Sequence, residues 1–150
     1  MDFLKEQGLI NTSKKYEEIY ILLKEKYDIS YDQLFTLCAV IGFKNNKVIK
    51  IDSKGREFRG SYLKRTNRAS LYSIILNDGK LGKRIDSFEE NEYQKKCVRK
   101  LEEYAEGGME ILTTEVFKGK WGANKLDEKY DEYIIDIISY VYSESLEVPF

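Results

Sequence analysis

The chain has 150 residues, of which 42% are hydrophobic and 13% aromatic. This length and apolar content are sufficient for one domain with its own core. We therefore predict a single domain over residues 1–150. It contains no histidine, which excludes Ser-His-Asp and Cys-His catalysis and histidine-ligated zinc. No window of about 18 uninterrupted apolar residues is present, and the N-terminus does not have the pattern of a signal peptide. We therefore expect a cytoplasmic protein that does not enter a membrane.

The net charge of −1 conceals three blocks of different sign. Residues 1–43 carry five basic and seven acidic side chains, residues 44–84 carry twelve and three, and residues 85–150 carry eight and sixteen. Such asymmetry is typical of a surface that contacts nucleic acid or an acidic protein. The alternative is that the basic and acidic blocks face each other in the fold and neutralise.

The first half of the chain predicts two adjacent helices. Apolar residues at i, i+3, i+4 and i+7 indicate an amphipathic helix that ends near Asp28, after a short helical or irregular lead-in over residues 1–10. The next window, Ser30–Gly42, is the most apolar of the chain and predicts a buried central helix. Ser30 and Gln33 form a capping-box pattern at its start, and Gly42 is a typical C-terminal stop.

The segment after Gly42 predicts a small β-structure. Three β-branched residues and the turn residues of Asp52–Gly55 favour a hairpin of Lys47–Asp52 against Arg56–Gly60. An irregular loop held to the helices by aromatic side chains is the alternative. Either structure would have to pack on the helices to be stable.

The second half predicts four further helices. Asn67–Asn77 predicts a third helix, and a second capping box, Ser87 with Glu90, predicts the start of a long one. The pair Gly107–Gly108 can end a helix, kink it or admit another backbone, and we favour a break before a short helix over Met109–Phe117. A last helix over Lys125–Glu144 places its apolar residues on one stripe. The members of that stripe are Leu126, Tyr130, Ile134, Ile137, Ile138 and Val141.

The fold class is therefore mainly α: a compact single-domain bundle of five or six helices, with a small β-hairpin or extended basic loop after the central helix.

Neither cysteine shows the spacing of a redox or zinc motif. Cys38 and Cys97 both fall in predicted helices without a CxxC pattern, so we interpret them as reduced core thiols. A zinc site or a disulfide is the alternative.

No catalytic, metal or cofactor site is predicted. The loop GKLGKR lacks the GxxxxGK[ST] pattern of a phosphate-binding loop. Asp52 and Lys54, with Glu57 nearby, are the residue types of a metal-dependent nuclease, but such sites need two or three converging acidic ligands. A small nuclease is therefore kept only as the competing enzyme hypothesis.

Basic residues with interleaved aromatics form the strongest candidate for a binding site. Arginine side chains suit phosphate recognition, and Phe58 and Tyr62 could stack on unpaired bases. No known nucleic-acid-binding motif surrounds them. Three interpretations stay open: contact with a nucleic-acid backbone, contact with an acidic protein, and internal neutralisation. The predicted binding residues are Lys54, Arg56, Arg59, Lys64, Arg65, Arg68, Lys80, Lys83 and Arg84.

Two pieces of the sequence also resemble a known family when read together. They are Leu34–Phe43 (LFTLCAVIGF) and Leu101–Leu112 (LEEYAEGGMEIL), an apolar helix running into glycine and a later acidic-aromatic helix broken at paired small residues. In this order they resemble one of the small dnd system-associated protein families, which are encoded beside bacterial DNA phosphorothioation and restriction genes.

The resemblance implies an accessory protein. Such families are similar to small, mostly helical subunits that work beside larger ATPases or nucleases in anti-phage defence islands. The resemblance implies a larger protein of a defence complex as partner, and no catalytic residues to carry over. A stand-alone nucleic-acid-binding module is the alternative function.

Overall fold

The computed structural model describes residues 2–146 as a mainly helical domain with two small antiparallel sheets, which confirms the predicted fold class. The helices are α1 (Phe3–Glu6), α2 (Glu17–Tyr27), α3 (Tyr31–Lys44), α4 (Arg65–Asn77), α5 (Asn91–Ile111) and α6 (Tyr133–Leu146). The strands are β1 (Leu9–Ser13), β2 (Lys54–Arg59), β3 (Trp121–Gly122) and β4 (Lys125–Leu126).

Helix α3 is the buried centre of the fold. Its N-terminus carries the predicted capping box, in which the Ser30 N–H donates to Gln33 Oε1 at 3.0 Å. The predicted stop at Gly42 was wrong, because the helix continues to Lys44 and Gly42 is buried inside it. A Cβ at this position would lie 2.0 Å from the carbonyl oxygen of Tyr104 on α5. This glycine therefore permits two helices to approach and does not end one.

Helix α5 runs unbroken through Gly107–Gly108, so the predicted break and new helix at Met109 were wrong. The alternative of close backbone approach is the one observed. A Cβ on Gly108 would meet the Cys38 carbonyl oxygen of α3 at 1.8 Å, and one on Gly107 would meet that of Lys47 at 2.2 Å. Backbone contact of this kind lets α3 and α5 cross with no side chain between them. After Ile111 the chain continues as a π-helical turn, Leu112–Val116.

The predicted hairpin of Lys47–Asp52 with Arg56–Gly60 does not form. Residues 47–51 form no regular secondary structure and run beside α5, where the Ile49 N–H donates to the Glu103 carbonyl at 3.1 Å. This segment matches the predicted alternative of an irregular loop. Strand β2 pairs instead with β1 from the N-terminal lead-in, with Leu9 opposite Arg59 and Ile10 opposite Phe58. Strand β1 in turn rests on α5, because the Asn11 N–H donates to Glu102 Oε2 at 2.7 Å.

Two helix starts also differ from the prediction. The predicted capping box of Ser87 and Glu90 is not used, because residues 82–87 form a 3₁₀ segment and α5 begins at Asn91. The last helix begins at Tyr133, not at Lys125, because the β3–β4 hairpin occupies the preceding residues. The turn of that hairpin is Ala123–Asn124, both with positive φ, as two-residue hairpins require.

The core is one apolar cluster around the α3–α5 crossing. The prediction that Ile138 and Val141 lie on the buried stripe of α6 was wrong, since they are 61% and 40% exposed. Cys38 and Cys97 are fully buried free thiols, as predicted for core residues. Burial raises the pKa of the Cys38 thiol well above its usual range. Among residues 2–146, no helix has both the length and the apolar content needed to cross a bilayer.

Candidate nucleic-acid interface

The connection between α4 and α5 is fixed to α5 by one buried carboxylate. Asp78 Oδ1 accepts from the N–H groups of Lys80 and Leu81, both at 2.9 Å, and Oδ2 accepts from the Tyr104 hydroxyl at 2.6 Å. The Tyr93 hydroxyl donates to the Leu81 carbonyl at 2.8 Å. Burial raises the pKa of Asp78, but these hydrogen bonds outweigh it and hold the pKa below its ordinary value. The loop is therefore held in one position at neutral pH.

The fixed loop and the adjacent face of α5 enclose a cleft of about 370 Å³. The helix contributes side chains at i, i+3 and i+4, which share one face. We call the five basic residues that line it the basic cleft: Lys80, Arg84, Lys96, Arg99 and Lys100. The other lining residues are Asp78, Leu81, Tyr93 and Glu103.

The basic cleft carries an unbalanced positive charge. Five basic residues face two acidic ones, and the carboxylate of Asp78 is already hydrogen-bonded within the fold. Within residues 2–146, none of the five forms an ion pair with a carboxylate. Four of them are exposed and Lys100 is half-buried. The cleft can therefore attract anions such as phosphate over about a Debye length, near 8–10 Å in ordinary buffer.

A second cleft, of about 330 Å³, shares Arg99 and Glu103 with the first but is balanced in charge. Its basic residues are Lys50, Lys54 and Arg99, and its acidic residues are Asp52, Glu102 and Glu103. Burial raises the pKa of Glu102, which is bound by Asn11 at the edge of β1. The excess positive charge thus belongs to the first cleft.

Two of the predicted binding residues form ion pairs with acidic residues of the N-terminal segment. The Arg68 Nε lies 2.7 Å from Asp2 Oδ2, and its guanidinium also donates to the Leu63 carbonyl. Its side chain is only 14% exposed, so Arg68 ties the N-terminus to α4. Arg56 lies 3.7 Å from Glu17 on α2. Both partners lie in residues 1–43 and not in the acidic block after residue 85.

The other predicted residues separate into two groups. Lys80 and Arg84 line the basic cleft, and Lys54 lines the second cleft. Arg59, Lys64, Arg65 and Lys83 are exposed and line none of the cavities described here. Of the nine predicted residues, Lys80 and Arg84 line one cleft together.

Sequence reasoning missed the part of the cleft that α5 contributes. Lys96, Arg99 and Lys100 lie in the block with the strongest negative charge, so the block average concealed them. The available signal was local: four basic residues between positions 95 and 100, placed on the polar side of a helix whose apolar positions include Tyr93 and Leu101.

The residues of the nuclease hypothesis do not converge on one site. Asp52 and Lys54 line the second cleft, whereas Glu57 lines neither cavity that Asp52 lines and pairs across the sheet with Asn11. Over residues 2–146, no group of three or more His, Cys, Asp or Glu side chains is placed to hold a metal ion.

A third cavity, of about 440 Å³, contains an unusual carboxyl group. Glu106 on α5 is only 8% exposed, and it lines the cavity together with Ser13 and Lys15. Burial raises the pKa of Glu106 to about 7, although the Ser13 hydroxyl and the Lys15 ammonium act in the opposite direction. The group is therefore partly protonated near neutral pH.

The raised pKa of Glu106 predicts an inverted pH dependence of stability. Between its ordinary pKa of 4.5 and the folded value of about 7, the folded state keeps a proton that the unfolded chain has released. The free energy of unfolding should therefore fall as the pH rises through this window. We expect Glu106→Gln, which mimics the protonated form, to match the wild type near pH 4, below the ordinary pKa of 4.5. At pH 8 it should be more stable by roughly 2 kcal/mol, after a discount for partial solvation.

Urea unfolding at both pH values measures this difference. Glu115→Gln is the control, because Glu115 is exposed and its carboxylate is solvated in both states. A Glu106→Gln variant that is less stable than the wild type at pH 8 would mean that the ionised carboxylate stabilises the fold.

Comparison with known proteins places the chain in a family. The family model described as DNA sulphur modification system-associated protein 4 matches residues 10–145. No curated protein and no solved structure matches the chain. The match includes α3, α5 and the basic cleft, and it confirms the resemblance drawn from Leu34–Phe43 and Leu101–Leu112. The chain therefore belongs to the family of DNA sulphur modification system-associated protein 4.

Proposed function

We propose that this protein is a non-catalytic accessory subunit of a bacterial DNA sulphur modification system, that it acts in the cytoplasm in anti-phage defence, and that its basic cleft contacts the DNA backbone. The observation that supports DNA contact is the unpaired charge of the cleft, five basic residues against two acidic ones on a rigid frame. The proteins of a DNA-modifying system also work on DNA, which is a polyanion.

The cleft suits phosphate better than base edges. Lysine and arginine make backbone contacts that fix position without reading sequence. Arg84 and Arg99 offer planar forks that match two phosphate oxygens, and the lysines add point charges. A side-chain set of this kind supports binding that does not depend on sequence.

A larger protein of the same system is the second proposed partner. The family description supports association with other components, and an accessory subunit that carries DNA towards an ATPase or nuclease needs a second surface for that protein. A stand-alone nucleic-acid-binding module is the alternative function, and it would need only the cleft.

The test is a titration of a fluorescent 20-base-pair duplex with the purified protein at several salt concentrations. We expect binding in which log K falls linearly with log salt, with a slope of about −3 to −4, because each neutralised phosphate contributes about −0.9. Two duplexes of unrelated sequence should give the same affinity within about threefold.

Either of two results would contradict backbone binding through this cleft. One is an affinity that hardly changes between about 50 and 200 mM salt. The other is an affinity that differs by orders of magnitude between the two duplexes.

A further inference from the structure

Two buried polar side chains on the floor of the third cavity have no partner. Glu106 is 8% exposed, and within residues 2–146 no lysine or arginine forms an ion pair with it. Ser13, at the end of β1, is 2% exposed, and its hydroxyl lies beside Glu106 without forming a hydrogen bond to any described residue. Both line the cavity of about 440 Å³, which we call the Glu106 cavity. Buried polar groups are nearly always hydrogen-bonded, so this pair is suited to a bound molecule.

The floor of the Glu106 cavity favours a cation. Burial raises the pKa of Glu106, and the nearby carboxylates of Asp52 and Glu110 raise it further. Glu110 is already bound by Lys47 at 2.7 Å, whereas Glu106 has no such partner. In the described part of the chain, no group of three or more potential ligands is placed to hold a metal ion. The cation that fits is therefore an organic one with N–H donors, an ammonium or guanidinium group.

The mouth of the Glu106 cavity has the opposite character. Four exposed lysines line it, against the two exposed carboxylates of Glu18 and Asp52. A further acidic residue, Glu17, lies 3.7 Å from Arg56. Within residues 2–146 none of the four lysines forms an ion pair, so the mouth can attract an anionic group. These lysines are Lys14, Lys15, Lys50 and Lys125.

The opposite charges of floor and mouth select the ligand. A polyamine, which is cationic along its whole length, would meet the lysines at the mouth. A simple anion would meet the buried carboxylate at the floor. A zwitterion places one charge at each level and avoids both conflicts, and a mismatch at either level discriminates against the other two classes of ligand.

We propose that the Glu106 cavity binds a small zwitterion with a basic side chain, of the type of a free basic amino acid. Its ammonium or guanidinium group donates to Glu106 and Ser13 at the floor, and its carboxylate faces the lysines at the mouth. Hydrogen bonds between such cations and a carboxylate are among the strongest in proteins. The volume of the cavity lies in the range of small-molecule sites. The Glu106 cavity shares no lining residue with the basic cleft, so this inference goes beyond the proposed DNA contact.

Isothermal titration calorimetry at pH 8 with four matched ligands tests the proposal. L-arginine and L-lysine carry both charges. L-citrulline has the shape of arginine but a neutral side chain, and agmatine has the guanidinium group but no carboxylate. We expect saturable binding of arginine or lysine, at least about tenfold tighter than that of either reference, because hydrogen bonds between charged groups contribute more than neutral ones. The tighter of the two amino acids identifies the cation.

Variants of the cavity separate the roles of its two levels. Glu106→Gln removes the charge at the floor and should weaken binding of the amino acid by at least about tenfold. It should also bring that amino acid and citrulline to similar affinity, which a general loss of structure would not do. Lys14→Gln/Lys125→Gln should weaken binding of the amino acid severalfold without weakening that of agmatine. The control Glu115→Gln, at an exposed position outside the cavity, should bind like the wild type.

Three results would overturn the proposal. The first is no saturable binding of arginine or lysine up to about 10 mM. The second is tighter binding of citrulline, or of guanosine monophosphate with its neutral N–H donors, than of either basic amino acid. The third is an unchanged affinity in Glu106→Gln.

The DNA proposal is tested independently on the same proteins. Glu106→Gln should bind the duplex like the wild type, because Glu106 lies outside the basic cleft. The variant Arg84→Glu/Lys96→Glu/Arg99→Glu should bind the amino acid like the wild type, because these three residues do not line the Glu106 cavity. Loss of one kind of binding with the other intact therefore shows which of the two proposals fails.

Discussion

Replacing Gly108 with alanine is expected to destabilise the domain by more than about 3 kcal/mol, enough to unfold most of it at 37 °C. Helix propensity alone predicts the opposite sign, since alanine in a helix interior is favoured over glycine by about 1 kcal/mol. The added Cβ, however, would lie 1.8 Å from the Cys38 carbonyl oxygen and 2.6 Å from its carbonyl carbon. Both are backbone atoms of a buried helix, so neither can move without moving α3.

The same reasoning applies to Gly42 and Gly107, whose Cβ positions lie 2.0 and 2.2 Å from carbonyl oxygens. The control is Gly122→Ala, because Gly122 has open space around it. Thermal unfolding should show a decrease of at least about 10 °C for Gly108→Ala and little change for the control. A Gly108→Ala variant that melts at or above the wild-type temperature would show that α3 and α5 can separate without cost.

Reversing the charge of the basic cleft is expected to abolish DNA binding. The variant Arg84→Glu/Lys96→Glu/Arg99→Glu replaces three exposed cations and should weaken duplex binding by at least about a hundredfold at 100 mM salt. It leaves out Lys100, which is half-buried and whose ammonium lies 5.6 Å from the Tyr104 ring. Circular dichroism should show unchanged helical content.

A matched control separates this site from the basic segment that sequence reasoning favoured. Arg59→Glu/Lys64→Glu/Arg65→Glu replaces the same residue types, equally exposed, and changes the net charge by the same amount. It should reduce affinity less than about fivefold, through the long-range field alone. Arg68 is left out, because its ion pair with Asp2 supports the fold. If the control variant loses binding and the cleft variant keeps it, the working surface lies on residues 59–65.

Features determined by local sequence could be predicted. The predicted end of α2 near Asp28 is confirmed, and Asp28 adopts the left-handed conformation there. The Ser30–Gln33 capping box also forms as predicted, because its partners are three residues apart. These signals need no knowledge of distant segments.

Features that depend on distant partners could not be predicted. The partner strand of β2 is β1, more than forty residues away in the chain, so local turn residues suggested the wrong hairpin. The roles of Gly42, Gly107 and Gly108 depend on which backbone atoms lie opposite each of them, which spacing cannot show. The two segments that carry the family resemblance, Leu34–Phe43 and Leu101–Leu112, are nevertheless the segments that meet where α3 and α5 cross.

The candidate site could be predicted only in part, for the same reason. Lys80 and Arg84 were predicted from their local charge, but the cleft exists only because the hydrogen bond from Tyr104 to Asp78 holds their loop beside α5. The contribution of Lys96, Arg99 and Lys100 becomes visible only once that loop is placed.

The most direct test of DNA-backbone binding by the basic cleft is an amide NMR titration of the wild-type protein with a short duplex. We expect the largest chemical-shift changes on the loop 78–84 and on residues 96–100 of α5, and we expect them to disappear as salt is raised. Changes concentrated on residues 56–68 with the cleft unperturbed, or no salt-sensitive changes at all, would contradict it.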